Sequence, residues 1–345
     1  MAAALRSMPN VHTGLNLLGL ATATYVSLRI FNEILIYARP SGFKRYGHKS
    51  DTGEAPWAMV TGATGGIGRA FAEELAADGF NVVLHGRGGE KLSRVRAEFQ
   101  ARFPARSFKT IAADPEAVPC KNHLESGHAA EHTSDTPDFQ AIQRELQGIR
   151  LTVLINNVGA GPTNPHFLPL ADSSEVRITA NISLNALFPI HLTRVLLPTL
   201  KQHSPSLVIN ISSLADKGHP NLLSYGASKA AMMTATKALR LEAMTEKDDI
   251  EFLGIRVGQC TGAAGLDTDR VPESMFCPSA ETMAKAALAR AGHGNGIVLG
   301  YWGHALQQWL LWPLWFLPQS VEDRILVFAL ARARQQDVYG DEKAK

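Results

Sequence analysis

Apolar residues along this chain switch repeatedly between two spacings. Short continuous runs alternate with stretches in which apolar positions recur every three or four residues. The runs at 58–60, 81–84, 108–113, 152–155, 206–211 and 251–257 read as strands, and 297–299 as a last one. The stretches at 69–78, 91–103, 139–148, 173–200 and 225–244 read as helices. Gly79 stops the first of them. Strands and helices in regular alternation argue for an α/β fold, a parallel sheet covered by helices on both faces.

Three segments break this rhythm. Residues 11–38 are largely apolar, with Arg29 and Glu33 as interruptions. The uncharged part, 11–28, falls slightly short of the ~20 residues that a spanning helix needs. Arg39, Lys44, Arg45 and Lys49 follow it and only Arg6 precedes it, a bias that keeps the body of the protein on the cytosolic side. The segment therefore reads as a membrane-associated helix, either spanning a bilayer or lying on its surface. A cleaved signal peptide fits less well, because no clear small-residue cleavage site follows. Residues 115–137 are rich in His, Glu, Ser and Pro and read as an inserted surface loop. His123, His128 and His132 lie inside it, and a solvated loop accounts for them better than a metal site.

The third segment is the C-terminal extension. Trp302, Trp309, Trp312 and Trp315 accompany Leu310, Leu311, Leu314, Phe316 and Leu317, and Pro313 and Pro318 prevent one long regular helix. Such a segment suits a membrane interface, a cap over a pocket or a dimer contact. The expected division is 1–50 for the membrane segment and basic linker, 51–300 for the α/β domain, and 301–345 for the apolar extension and tail.

Composition changes this picture little. A chain of 345 residues with 45% apolar content can bury one large core and carry extensions. A net charge of +2 gives no nucleic-acid signal. Cys120, Cys260 and Cys277 are odd in number and lack metal spacing, which favours a reducing compartment.

The chemistry lies in two motifs. Thr61-Gly-Ala-Thr-Gly-Gly-Ile-Gly68 follows the first strand and opens a helix. Gly62, Gly66 and Gly68 there let the backbone approach a pyrophosphate, which the helix N-terminus favours. Gly65 allows a second spacing of the turn, Gly62, Gly65 and Gly68. The second strand ends in Leu-His-Gly-Arg87 with no acidic residue to hold ribose hydroxyls. Arg87 offers a fork of donors for a 2′-phosphate, which points to NADPH/NADP+. Arg69 could assist, and Asp114 could meet the adenine amino group. Further on, Tyr225 and Lys229 stand at i and i+4 on one helix face. An ammonium beside a phenol favours the phenolate and lowers its pKa from ~10, so the tyrosine can exchange a proton near neutral pH. Dinucleotide turn and proton donor together read as hydride transfer.

These motifs resemble the short-chain dehydrogenase/reductase family. The glycine turn fits its Thr-Gly-x-x-x-Gly-x-Gly, Asn156-Asn-Val-Gly159 its Asn-Asn-x-Gly, and Asn181 its helix asparagine. Ile211-Ser-Ser213 then precedes Tyr225 and Lys229. The resemblance implies a Rossmann-type, doubly wound parallel sheet. It implies cofactor contacts from Gly62, Thr64, Gly66, Ile67, Gly68, Asn157, Val257 and Thr261, besides Arg87, Asp114, Tyr225 and Lys229. It makes Tyr225 the proton donor, Lys229 its partner on the nicotinamide ribose, Ser213 a donor to the substrate oxygen, and Asn181 the holder of a relay water. Val-Leu-His-Gly-Arg, Phe43-Lys-Arg-Tyr-Gly47 and the apolar N-terminus resemble the membrane-bound 3-oxoacyl-CoA reductases of very-long-chain fatty-acid elongation, and related hydroxysteroid dehydrogenases. That subgroup implies NADPH, a lipid-like carbonyl substrate and the endoplasmic reticulum membrane with the catalytic domain facing the cytosol. The helices at 173–200 and 225–244 could pair in a homodimer.

Two departures stand out. The interval from Ser213 to Tyr225 is one residue short, and Ser212 fits the usual interval. Ser213 is favoured because a loop loses a residue more easily than a strand changes face. After the sixth strand the family has Pro-Gly and then a threonine, whereas this chain has Val257-Gly-Gln-Cys-Thr-Gly262. Both departures leave open a second class, a nucleotide-binding scaffold without turnover.

Overall fold

The computed structural model describes residues 9–118, 137–160, 167–262, 272–311, 317–328 and 331. The chain divides into two compact units, Met1–Pro40 and Ser41–Lys345. The first holds one helix, α1 (Pro9–Ala38), of 30 residues. At 1.5 Å per residue that is roughly 45 Å of helix, more than the ~30 Å hydrocarbon core of a bilayer. Leu15, Leu17, Leu18, Leu20, Tyr25 and Leu28 on it are all exposed. Among the described residues it is the one helix long and apolar enough to cross a membrane.

The second unit is built on seven strands: β1 (Trp57–Val60), β2 (Asn81–Gly86), β3 (Phe108–Ala112), β4 (Leu151–Asn156), β5 (Ser206–Ser213), β6 (Ile250–Val257) and β7 (Ile297–Leu299). They form one sheet in the order β3-β2-β1-β4-β5-β6-β7. Every neighbouring pair is parallel. Chain order reverses between β1 and β4, so a crevice opens at the carboxyl ends of those strands. All six residues of β4 are buried, as expected for a central strand covered on both faces.

Helices α2 (Gly66–Ala77), α3 (Gly89–Arg102), α4 (Phe139–Glu145), α5 (Glu175–Ile182), α6 (Phe188–Gln202), α7 (Leu223–Glu246), α8 (Ala280–Leu288) and α9 (Trp302–Leu310) surround the sheet. On one face Met59, Leu154, Val208 and Phe252 meet Phe188, Leu192 and Leu196 of α6 and Ile142 of α4. Burying such side chains stabilises by roughly 1.5–3 kcal/mol each before entropy is counted, which makes this layer the rigid floor of the crevice.

The expected helix at 173–200 is broken in register. Ser174 caps α5 by accepting from the Arg177 N–H. Between α5 and α6 the chain makes a π-turn at Ser183–Leu187. Such turns mark functional sites because they rotate the side chains that follow. The helix expected at 139–148 ends at Glu145. Of the inserted loop, Val118 packs into the core. Residues 119–136, with Cys120, His123, His128 and His132, lie outside the described residues, as do Trp312 and Trp315. Past α9, a helical segment at 319–328 exposes Val321, Ile325, Val327 and Phe328.

Candidate active site

The glycine turn leaves β1 at the crevice and enters α2. A Cβ on Gly68 would sit 2.2 Å from the Gly62 carbonyl oxygen, so only glycine lets the helix fold back on the turn. Gly66, the first residue of α2, takes φ +55. The first-turn amides of α2, at Gly66 and Ile67, have no intrahelical acceptor and are available to an anion. Thr61 is buried and holds the turn to the next loop, its Oγ1 accepting from the N–H groups of Asn157 and Val158 at 2.9 Å each. The Asn157 side-chain amide donates to the Thr61 carbonyl at 3.0 Å. That amide, expected at the cofactor, is thus committed to bracing the glycine turn.

Arg87 follows β2 at the crevice edge and is exposed. Its Nη1 donates to Glu116 at 2.8 Å, while the Asp114 carboxylate accepts from the Glu116 backbone N–H at 3.1 Å. Arg69 turns away, bound to Glu98 at 2.7 Å and stacked on Phe99. A basic group that the sequence reading missed is Lys91 on α3. Its Nζ lies 3.9 Å from where a Cβ on Gly65 would be, over the glycine turn.

Tyr225 and Lys229 share a face of α7 beside the end of β5. The Lys229 ammonium is buried, donates to the Ile211 carbonyl at 3.0 Å, and lies 5.8 Å from the centre of the Tyr225 ring. Burial pushes its pKa down to about 8. The tyrosine behaves differently from expectation. Burial raises the Tyr225 pKa, the Ser213 hydroxyl against it lowers it by less, and the Asp216 carboxylate raises it further. The ammonium does not offset this, because it is itself desolvated and bound to a carbonyl.

The two serines divide as alternation in a strand requires. Ser213 faces the phenol, and its Oγ accepts from the Ala215 N–H at 3.2 Å. Ser212 is buried on the other side and donates to the Lys229 carbonyl at 3.2 Å, bracing α7. Asp216 is held by Arg256, Nε to Oδ2 at 2.6 Å.

The structure adds a second asparagine to the expected one, one helical turn on. Asn181 Nδ2 donates to the Ala160 carbonyl at 3.1 Å. Asn185, in the π-turn, donates to the same carbonyl at 3.1 Å and to the Asn181 carbonyl at 2.9 Å. Its Oδ1 and the Lys229 Nζ converge on Gly159: a Cβ there would be 2.7 Å from the first and 2.6 Å from the second. Asn185 is thus an asparagine beside the lysine that the sequence reading missed, and it shares the Ala160 carbonyl with Asn181. Its position four residues after Asn181 was the signal in the sequence. Both Oδ1 atoms are buried and make no hydrogen bond with the described protein atoms.

Beyond β6, the Thr261 N–H donates to the Pro278 carbonyl at 3.0 Å. Val257 is buried at the strand end. The loop continues into 263–271, outside the described residues.

A doubly wound sheet with a glycine turn at its switch point and a Ser-Tyr-Lys cluster across the crevice defines a dinucleotide-dependent oxidoreductase. The chain matches the short chain dehydrogenase family over residues 56–265, and it belongs to that family. It is 32% identical over 297 residues to the very-long-chain 3-oxoacyl-CoA reductase-like protein of Arabidopsis thaliana, an alignment covering 83% of this chain and 81% of that one. It is 29% identical over 303 residues to the very-long-chain 3-oxoacyl-CoA reductase of Mycosarcoma maydis, covering 86% of this chain and 80% of that one. Among solved structures, a metagenomic short-chain oxidoreductase in complex with NADP superposes with a TM-score of 0.53 at 25% identity, covering 71% of this chain and 96% of that one.

Proposed function

We propose that this protein is an NADPH-dependent reductase that converts a long-chain 3-oxoacyl-CoA to its 3-hydroxy form at the endoplasmic reticulum membrane. The observation that carries the reaction is the Tyr225 phenol set against the Ser213 hydroxyl, on the same helix face as buried Lys229. The names of the relatives carry the substrate.

The residues present fit a dinucleotide. Gly68 keeps the turn clear of any side chain, and Arg87 and Lys91 offer cations for a 2′-phosphate. When bound, NADPH supplies the hydride to the carbonyl carbon. Tyr225 gives its phenolic proton to the carbonyl oxygen as negative charge develops there. Its raised pKa keeps that proton in place until then. Ser213 donates a hydrogen bond to the same oxygen, an interaction strongest in the transition state. Lys229 lies behind the tyrosine with Asn185 Oδ1 near its ammonium, the arrangement through which a water could return a proton. The exposed apolar face of α1 supports membrane attachment, and the basic residues after it support a cytosolic catalytic unit.

Oxidation of NADPH by detergent-solubilised protein tests this reading. Turnover with a long-chain 3-oxoacyl-CoA that vanishes in Tyr225→Phe is the expected result. Turnover of a ketosteroid alone would reassign the substrate, and NADPH binding without turnover of either would leave the scaffold reading in force.

A further inference from the structure

The loop after β6 lacks the proline that its relatives' pattern places there, and a residue far along the chain holds it instead. His304, in the first turn of α9, has no exposed surface. Its Nδ1 accepts the Gly258 N–H at 3.2 Å, and its Nε2 pairs with the Gln259 carbonyl at 3.0 Å. A carbonyl can only accept, so Nε2 carries the proton and Nδ1 is the acceptor, which fixes the neutral Nε2–H tautomer. Burial holds its pKa below the ordinary histidine value, while the Gln259 and Phe276 backbones beside the ring offset part of that, in keeping with a neutral imidazole.

The surroundings are shaped for this ring. A Cβ on Gly258 would come 2.8 Å from the His304 Cδ2, so glycine at 258 is what admits the imidazole. A Cβ on Gly303 would come 2.2 Å from the Met275 carbonyl, so glycine there lets α9 start against the chain leading into α8. The Tyr301 ring meets the imidazole edge-on with centroids 5.4 Å apart. From the other side, the Thr261 N–H is tied to the Pro278 carbonyl at 3.0 Å.

We propose that His304 is a positioning residue for the nicotinamide half of the cofactor: it clamps the backbone of Gly258 and Gln259 and so supplies the rigidity that a proline supplies in relatives. This rests on the proposed function: Val257 pairs in register with Ser213, so the loop starts beside the serine proposed to hold the carbonyl, where the hydride-giving nicotinamide would lie. In the family's Pro-Gly the proline stands where this chain has Val257, so here Gly258 follows a residue whose ring does not fix φ, and its own free backbone needs constraint from outside. The imidazole provides it through two hydrogen bonds and ring contact.

The test compares two ligands on full-length, detergent-solubilised protein by calorimetry. Adenosine 2′,5′-bisphosphate reports the adenine end alone, and NADPH reports both ends. His304→Leu is expected to weaken NADPH roughly tenfold, the loss of two hydrogen bonds' worth of ordering, and the bisphosphate by less than about twofold. His304→Gln, whose amide can donate and accept, is expected to recover most of the NADPH affinity. Equal losses for the two ligands, or no loss, would overturn the proposal. Should His304→Leu fail to fold, the double variant Val257→Pro/His304→Ala decides against His304→Ala alone. The proline at the family's position is expected to bring NADPH affinity back toward wild type, while His304→Ala alone binds poorly. A double variant as weak as the single one overturns the clamp. Wild-type protein that binds neither ligand would sink the dinucleotide reading, and the clamp with it. NADPH binding with normal turnover in His304→Leu would sink the clamp alone.

Discussion

Arg87 donates to Glu116 at 2.8 Å where the ends of β2 and β3 meet the crevice. The pair places a carboxylate at the very position where a 2′-phosphate would seek the guanidinium. Arg87 is 63% exposed, so the pair itself is weak, about 0–1 kcal/mol.

Removing each partner should therefore have opposite effects. Arg87→Leu should weaken NADPH by roughly tenfold or more and leave NADH nearly unchanged, since a charge-assisted bond to phosphate is worth about 1.5–3 kcal/mol. Glu116→Gln should strengthen NADPH a few-fold by freeing the arginine. Fluorescence titration with both cofactors checks this, and parallel loss of both in Arg87→Leu would remove the arginine from the phosphate site.

The two serines should separate cleanly. Ser213→Ala should lower kcat by roughly 10²–10³-fold, the range for loss of one donor to a developing oxyanion. Ser212→Ala should leave chemistry largely intact and cost about 1 kcal/mol of stability, because its hydroxyl only braces the Lys229 carbonyl. Steady-state rates and urea midpoints on both variants decide the assignment; the reverse order would hand the role to Ser212.

Gly159→Ala should be inactive yet folded. The added methyl would come 2.6 Å from the Lys229 Nζ and 2.7 Å from the Asn185 Oδ1, so one of the two must move. Asn185→Leu should reproduce the kinetic loss, and Asn181→Leu should lose less. A circular dichroism spectrum matching wild type, with kcat down by at least ~10-fold, is the expected pairing. Full activity in Asn185→Leu would return the role to Asn181.

Stability should rise with pH above neutrality in a way that Lys229 controls. Its folded pKa is about 8, below the ordinary 10.5, so between those values the unfolded chain binds more protons. Unfolding free energy therefore increases with pH across that window, by up to about 3 kcal/mol, and is lowest below pH 8, where both states are charged. Lys229→Met should abolish turnover and flatten this rise. Urea denaturation at pH 7.5 and pH 10 reads the difference, and an unchanged slope in the variant would assign the rise to other groups.

His85 has an effect of the same sign at acid pH. It is wholly buried against Phe188, with ring centroids 4.9 Å apart, and burial lowers its pKa to about 4. Neither ring nitrogen makes a hydrogen bond of normal geometry with the described protein atoms, and the nearby Ala113 backbone offsets little of the burial cost. Its folded pKa is below the unfolded value of 6.5, so stability falls as pH drops from about 6.5 toward about 4. His85→Leu should shift the acid-unfolding midpoint downward. Circular dichroism against pH measures it, and an unmoved midpoint would exclude this histidine as a cause.

The strands, the helices and the motifs at Gly62–Gly68 and Tyr225–Lys229 were legible in the sequence because each is a local signal. A buried parallel strand such as β4 must be largely apolar, its buried Thr152 and Asn156 both hydrogen-bonded, and a helix face must repeat every three or four residues. A tight dinucleotide turn must have glycine where a Cβ would strike the backbone, as at Gly68. Such constraints act within a few residues and leave their mark there. What the tertiary structure alone decided is which of two neighbouring candidates faces the crevice. Ser213 rather than Ser212 follows from where β5 ends in register with Val257 on β6. Asn185 joining Asn181 at the Ala160 carbonyl follows from the π-turn, which rotates one helical turn against the next. Arg87 meeting Glu116 and His304 meeting Gly258 join residues 29 and 46 positions apart. Those contacts depend on how elements pack across the sheet, and packing distance is not encoded in the spacing of either partner along the chain.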